Sequence, residues 1–162
     1  MFREMRRKRQ QLSQERTEEI LRSATSGVLA LAGDDGYPYA VPLSHVYADG
    51  KIYFHSAVEG HKLDAISRCD KASFCVVERD DVVPEKFTTY FRSVIAFGRV
   101  RVVEDEASRV AALRLLAGRF APGMREAAER EIAQGFARVC LLEFTVEHLT
   151  GKEAIELVGG KA

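Results

Sequence analysis

The sequence has no tryptophan, only four prolines and only three cysteines. Cys69, Cys75 and Cys140 are odd in number, widely spaced and without a CxxC pair, which argues against a disulfide framework or a structural zinc site and for incidental or buried thiols in a reducing compartment. The four histidines, His45, His55, His61 and His148, have neither HxxxH nor HExxH spacing, so no metal is expected. No apolar run reaches the roughly 18–20 residues that a membrane span needs. The opening MFREMRRKRQQ is basic but has no apolar stretch behind it. A secretory signal is therefore not expected, and the cytoplasm is the expected location. Repeats and low-complexity segments are missing. So are GxGxxG and the Walker A pattern, which removes the familiar dinucleotide and P-loop cradles. Net charge is missing too, with 24 Lys and Arg against 24 Asp and Glu. That speaks against nucleic acid as a partner. The local exception, Arg3, Arg6, Arg7, Lys8 and Arg9, reads as a solvated, flexible arm over 1–13.

What is present suits a single folded domain: 162 residues, 46% hydrophobic and 30% charged. The domain is expected over 14–157, with a fraying tail at 158–162. Ser13 can cap a helix at about 14–24, with Ile20 and Leu21 as its apolar surface. GVLALA (27–32) followed by Gly33-Asp34-Asp35-Gly36 reads as a strand and hairpin turn. From 37 to 47, Tyr37, Tyr39, Val41, Leu43, His45 and Tyr47 alternate on one face. Asp49-Gly50 is a second turn, and KIYFHS (51–56) a strand. Three strands with two tight turns predict an antiparallel meander. A short helix is expected at about 60–69 and a strand at 72–77. A long β segment follows over 88–103, with Phe91, Ser93, Ile95 and Phe97 on one side and Gly98 marking a bulge. Helices are expected at about 106–118, with Val110, Leu113 and Leu116 facing in, and at about 124–135, then a last strand at 138–146. Hairpin-linked strands interrupted by short helices, without βαβ alternation, imply an α+β protein built on an antiparallel barrel or closed sheet.

Three segments could carry chemistry. In Tyr37-Pro38-Tyr39-Ala40-Val41-Pro42-Leu43-Ser44-His45, two prolines each remove a ladder donor. The segment reads as an edge strand, or as one whose main-chain groups near Val41, Pro42, Leu43 and Ser44 meet a planar heterocycle. In Phe54-His55-Ser56-Ala57-Val58-Glu59-Gly60-His61-Lys62, a strand runs into a helix start, where free N–H groups and the helix dipole favour an anion. His61 and Lys62 are cations where the dipole disfavours them, which an anion would offset. His55 and Ser56 could donate to the same phosphate, or all four could be ordinary surface residues. In Thr89-Tyr90-Phe91-Arg92-Ser93, a mid-strand Arg92 needs solvent or an anionic partner.

Together with GVLAL (27–31), YFRSVIAFGRVRVVED (90–105) and LTGKEAIEL (149–157), these segments resemble the pyridoxamine 5′-phosphate oxidase-like FMN-binding split-barrel superfamily, and within it the nitroimidazole-resistance, Nim-type branch. The resemblance spans about 14–157. It implies a split β-barrel with short flanking helices that forms a homodimer, with FMN at the subunit interface. It implies further that Val41 to Ser44 line the flavin ring and that His55, Ser56, His61 and Lys62 hold the phosphate. Arg92 and Ser93 would approach the flavin, from the same subunit or the other, and Lys152 joins the cofactor-binding set. The oxidases carry a Ser-x-Lys element where this chain has Gly60-His61-Lys62, so the hydroxyl would come from Ser56. The Nim-type branch makes His61 the candidate functional residue. The activity implied is an FMN-dependent oxidoreductase that takes electrons from NADH or NADPH to a small acceptor such as a nitroaromatic. Three alternatives stay open: a non-enzymatic flavin-binding or redox-sensing protein, a barrel using haem (with His45 or His148 as ligand), and one using a deazaflavin.

Overall fold

Ser13 accepts a hydrogen bond from the Arg16 N–H at 3.2 Å and so starts α1 (Gln14–Ser23), which buries Thr17, Ile20 and Leu21 on one face. The computed structural model describes residues 1–160. After α1 come β1 (Ser26–Ala32), β2 (Pro38–Ser44), β3 (Val46–Ala48), β4 (Lys51–Ser56), α2 (His61–Arg68), β5 (Lys71–Val83) and β6 (Thr88–Val102). The chain continues through α3 (Glu106–Phe120), α4 (Arg125–Gly135) and β7 (Cys140–Glu153). The strands form one sheet in the order β2-β1-β5-β6-β7-β4-β3, antiparallel at every pairing. Its two outermost strands, β2 and β3, are consecutive in the chain with His45 alone between them. A sheet whose opposite edges are joined by one residue has to curl until they meet, so it is a barrel split along the β2–β3 corner. No helix among the described residues is long and apolar enough to cross a membrane.

This corrects the meander. The β1–β2 and β3–β4 hairpins form as expected, but the segment 37–47 is two strands at opposite ends of the sheet. The cause is His45. Its side chain is fully buried, its Nε2–H donates to the Leu21 carbonyl at 2.9 Å, and its ring meets Phe74 edge-on. The alternation holds from Tyr39 on, with Tyr39, Val41 and Leu43 packed on the core and Tyr47 within it, whereas Tyr37 precedes β2 and is exposed.

Inside the barrel, Leu29, Leu31, Ile52, Phe54, Phe74, Val76, Val94, Ala96, Leu142 and Phe144 form the core, joined by Ile20 and Leu21 of α1 and Ala65 and Ile66 of α2. Cys140 to Phe144 are buried in succession because β7 is covered on both faces. Leu142 and Phe144 point inward, while Leu141 lies under α3 with Val103, Ala112 and Leu116. Glu143, also on the α3 side, is buried and satisfied by Lys51, Arg101 and Tyr53. Burial alone would raise its pKa, but the bonds from Lys51 and Arg101 outweigh that and hold its carboxyl below the usual range.

β5 extends beyond the expected 77 to Val83, and β7 beyond 146 to Glu153. Both extensions are held by β6, whose ladder pairs Val83 with Thr88 on one side and Glu153 with Arg92 on the other. The register slips at Phe97/Gly98, the bulge that Gly98 foretold. A Cβ there would run into the Thr145 carbonyl oxygen and lie 2.8 Å from the Phe144 ring. Residues ahead of α1 lie along β6 and β7: Phe2 stacks on His148 at 4.8 Å, and the Leu12 N–H donates to the Gly151 carbonyl.

Candidate functional site

β2 has β1 as its one strand neighbour, so one side of its main chain is spared from pairing within the sheet. Val41 and Leu43 turn to the core and Pro42 and Ser44 turn out. At the other side of the split, β4 ends at His55 and Ser56. The split brings these two strand ends together: Ser44 and His55 line the same cavity. The Ser56 hydroxyl donates to the Ala57 carbonyl at 2.8 Å, which shapes the turn out of β4.

That turn leads to Gly60, whose φ of +122° only glycine adopts easily, and then into α2. Lys62 is half-buried in the first turn of α2, and among the described residues it forms no ion pair. It lies near Cys140, which is paired with Ser56 across β4 and β7. Burial pushes the Cys140 thiol up, and the positive charges of Arg109 and Lys62 oppose that shift. Burial likewise raises the Cys75 thiol, so neither is an activated nucleophile. His61 stacks on the Tyr39 ring at 4.1 Å between centroids, and its Nε2 is 3.3 Å from Asp34 Oδ2. Asp34 also binds Arg68. Sequence reasoning assigned Asp34 to a turn and Tyr39 to a strand face, and overlooked both as partners of His61. The turn between β1 and β2 carries Asp34 to the start of α2, a contact that neither segment's local pattern records.

Arg92, Ser93 and Lys152 form a second group on β6 and β7, where Ser93 is paired with Lys152. Arg92 is held by two carboxylates, Glu78 at 3.0 Å and Glu153 at 3.1 Å, and Glu78 also binds Arg16. Lys152 lies 5.3 Å from the centre of the Phe91 ring. β7 borders β4 only over Cys140 to Thr145, and Lys152 with its partners on β6 lies beyond that stretch, so one chain does not place this group among the residues around the split. Of the histidines named for haem, His45 is locked into the core and His148 is stacked on Phe2. Among the described residues no three His, Cys, Asp or Glu side chains cluster as a metal site would require.

The residues at the split suit a phosphorylated planar cofactor. A half-buried ammonium beside a helix start fits a phosphate, and the Ser56 hydroxyl could join it by leaving the Ala57 carbonyl. An edge strand with prolines offers main-chain groups to a heterocycle. The cavity beside them, about 510 Å³, is walled mostly by α3 and α4, including Leu113, Leu116, Phe120 and Ile132. None of these helix residues was named as a site residue from sequence, where their spacing reads as ordinary core packing.

Known structures share this architecture. A putative 5-nitroimidazole antibiotic resistance protein from Bacteroides thetaiotaomicron matches with 21% identity and a TM-score of 0.72, over 88% of this chain and 86% of that one. A conserved hypothetical protein from Mycobacterium tuberculosis matches with 17% identity and a TM-score of 0.80, over 93% and 90%. An FAD and haem binding protein from Mycobacterium smegmatis matches with 24% identity and a TM-score of 0.77, over 90% and 73%. These likenesses show the fold. A search of the curated proteins returns no match. The pyridoxamine 5′-phosphate oxidase family model matches residues 13–153, nearly the whole domain, and the chain belongs to that family.

Proposed function

We propose that this protein is a flavin-dependent oxidoreductase that binds FMN at the barrel split. The observation that carries the reading is the meeting of β2 and β4 there, with Ser44 and His55 on one cavity and half-buried Lys62 at the start of α2. Lys62, Ser56 and the α2 N–H groups hold the phosphate. Val41 to Ser44 present main-chain groups to the ring edge. His61, steadied by Tyr39 and Asp34, precedes Lys62 at the start of α2 and is our candidate for a chemical role. A flavin held there would supply hydride chemistry between NADH or NADPH and a small acceptor such as a nitroaromatic. The names of the Bacteroides and Mycobacterium smegmatis proteins, one for nitroimidazole resistance and one for FAD and haem binding, favour a flavin among the cofactors.

The functional unit is a homodimer. The outward side of β1, β5 and β6 is apolar: Val28 is 39% exposed, Val77 61%, Ile95 39% and Phe97 38%. Val28, Cys75 and Ile95 lie abreast across three strands. A contiguous apolar face of this kind marks an interaction surface. A second chain covering it would bring its own Arg92, Ser93 and Lys152 toward the first chain's flavin.

The test is the absorbance spectrum of the purified protein before and after adding FMN, followed by identification of the cofactor that denaturation releases. A flavin spectrum is expected. Lys62→Ala should weaken flavin retention about tenfold or more, as for a lost charge-assisted bond. Oxidation of NADH or NADPH with a nitroimidazole then separates an enzyme from a flavin carrier or sensor. A colourless protein that takes up no flavin would sink the reading.

A further inference from the structure

The cavity between the α3–α4 hairpin and the barrel has features of its own. Its volume of about 510 Å³ falls inside the usual range for small-molecule sites. It exists because alanines 117, 121, 127 and 128 line it where longer side chains would close it. Leu113, Leu116 and Phe120 turn one stripe of α3 into it, and Ile132 and Phe136 face them. α4 buries no residue of its own, so its inner face lacks the cover that such a face normally finds. The polar side chains on the lining are Ser44, His55 and Glu131. No lysine or arginine is among the described residues that line it. An organic anion there would be desolvated without a counter-charge and would face the Glu131 carboxylate. A neutral molecule meets neither cost. Ser44 and His55 belong also to the residues placed around the flavin, so a ligand in this cavity touches that site at one end.

We propose that this cavity binds the molecule on which the protein acts, and that this molecule is a neutral, largely apolar compound with one hydrogen-bonding group directed at Ser44 and His55. Its role as the electron acceptor rests on the flavin reading; its binding chemistry does not.

The experiment is a fluorescence titration of the full chain with N-phenyl-1-naphthylamine, which is neutral, and with 8-anilino-1-naphthalenesulfonate, its anionic counterpart. The neutral probe should bind saturably, and the sulfonate about tenfold more weakly or worse. Ala127→Phe fills the cavity from α4 and should weaken the neutral probe at least about tenfold, with flavin content and melting temperature kept. Glu131→Lys leaves the cavity open and should reverse the preference toward the sulfonate, so the proposal stays testable if the bulky variant misfolds. A neutral probe indifferent to Ala127→Phe, or a sulfonate bound as well as the neutral probe and unmoved by Glu131→Lys, overturns the proposal. So does loss of the flavin itself in a folded Ala127→Phe, because the cavity would then hold the cofactor. A colourless protein that still binds the neutral probe supports the cavity chemistry and removes the flavin reading, so the two fail separately.

Discussion

The barrel and the α3–α4 hairpin are stabilised in different ways. In the barrel, Phe54 from β4 meets Phe74 from β5 at 5.1 Å, and both are fully buried. The pairings β1–β5, β4–β7 and β6–β7 each join strands distant in sequence. In the hairpin, α3 anchors through Ala112 and Leu116, whereas α4 buries nothing and is tied by surface links. Arg114 grips Glu129 through two bonds of 2.7 and 2.9 Å, and Arg109 donates to the carbonyls of Phe136 and Val139. A well-formed helix therefore need not share the stability of the core beside it. The loosely tied element is also the one that walls the cavity.

That contrast can be broken first in the barrel. Phe54→Ala should cost about 3–5 kcal/mol, since the aromatic contact and the packing around it go together. Chemical denaturation measures it, and a loss below about 1 kcal/mol would show that the core collapses around the gap. Gly98→Ala should cost about 1–3 kcal/mol, because its methyl has to displace the Thr145 carbonyl or unmake the bulge. The same denaturation series reads it.

A smaller effect comes from pH. His45 is buried and neutral, with Nε2–H on the Leu21 carbonyl and Nδ1 without a partner among the described residues. Burial lowers its pKa. The unfolded chain thus takes up the proton first as pH falls. Stability contributed by the neutral ring is complete above the unfolded value of about 6.5 and is lost progressively below it, until the folded pKa is reached. The slope of stability against pH in the weakly acid range should flatten in His45→Gln. An unchanged slope would assign it to other groups.

The smallest effect belongs to the hairpin. Arg114→Met removes an exposed pair and should leave the main melting transition almost where it was, because such pairs contribute little. Hydrogen exchange in α4 should nevertheless quicken while the barrel strands stay protected. Matching changes in both regions would mean that the hairpin folds with the barrel after all.

The legible parts of the fold were those written locally. Ser13 announced α1, Asp34-Asp35-Gly36 and Asp49-Gly50 announced their hairpins, and Gly98 announced its bulge. The charged stretch Glu78-Arg79-Asp80-Asp81 carries no strand pattern and became β only because β6 offers it a ladder. The candidate site was legible in part. Lys62, His61 and Ser56 stood out as unusual chemistry at a helix start, and the prolines of β2 stood out as ladder breakers. Asp34 and Tyr39 were hidden, since a turn aspartate and an alternating tyrosine look the same with or without a histidine beside them.

By itself the sequence determined most element types and the antiparallel α+β character, because turns, caps and alternation act over a few residues. Only the tertiary structure decided that β2 and β3 close the barrel from opposite edges around a buried His45. It alone decided that Ser44 and His55 share a cavity under α3 and α4, and that Ile95 and Phe97 face outward while Val94 and Ala96 fill the core. Alternation along a strand names two faces but cannot say which is inside; that depends on where the sheet curls, and the curl is set by contacts between residues far apart in the chain.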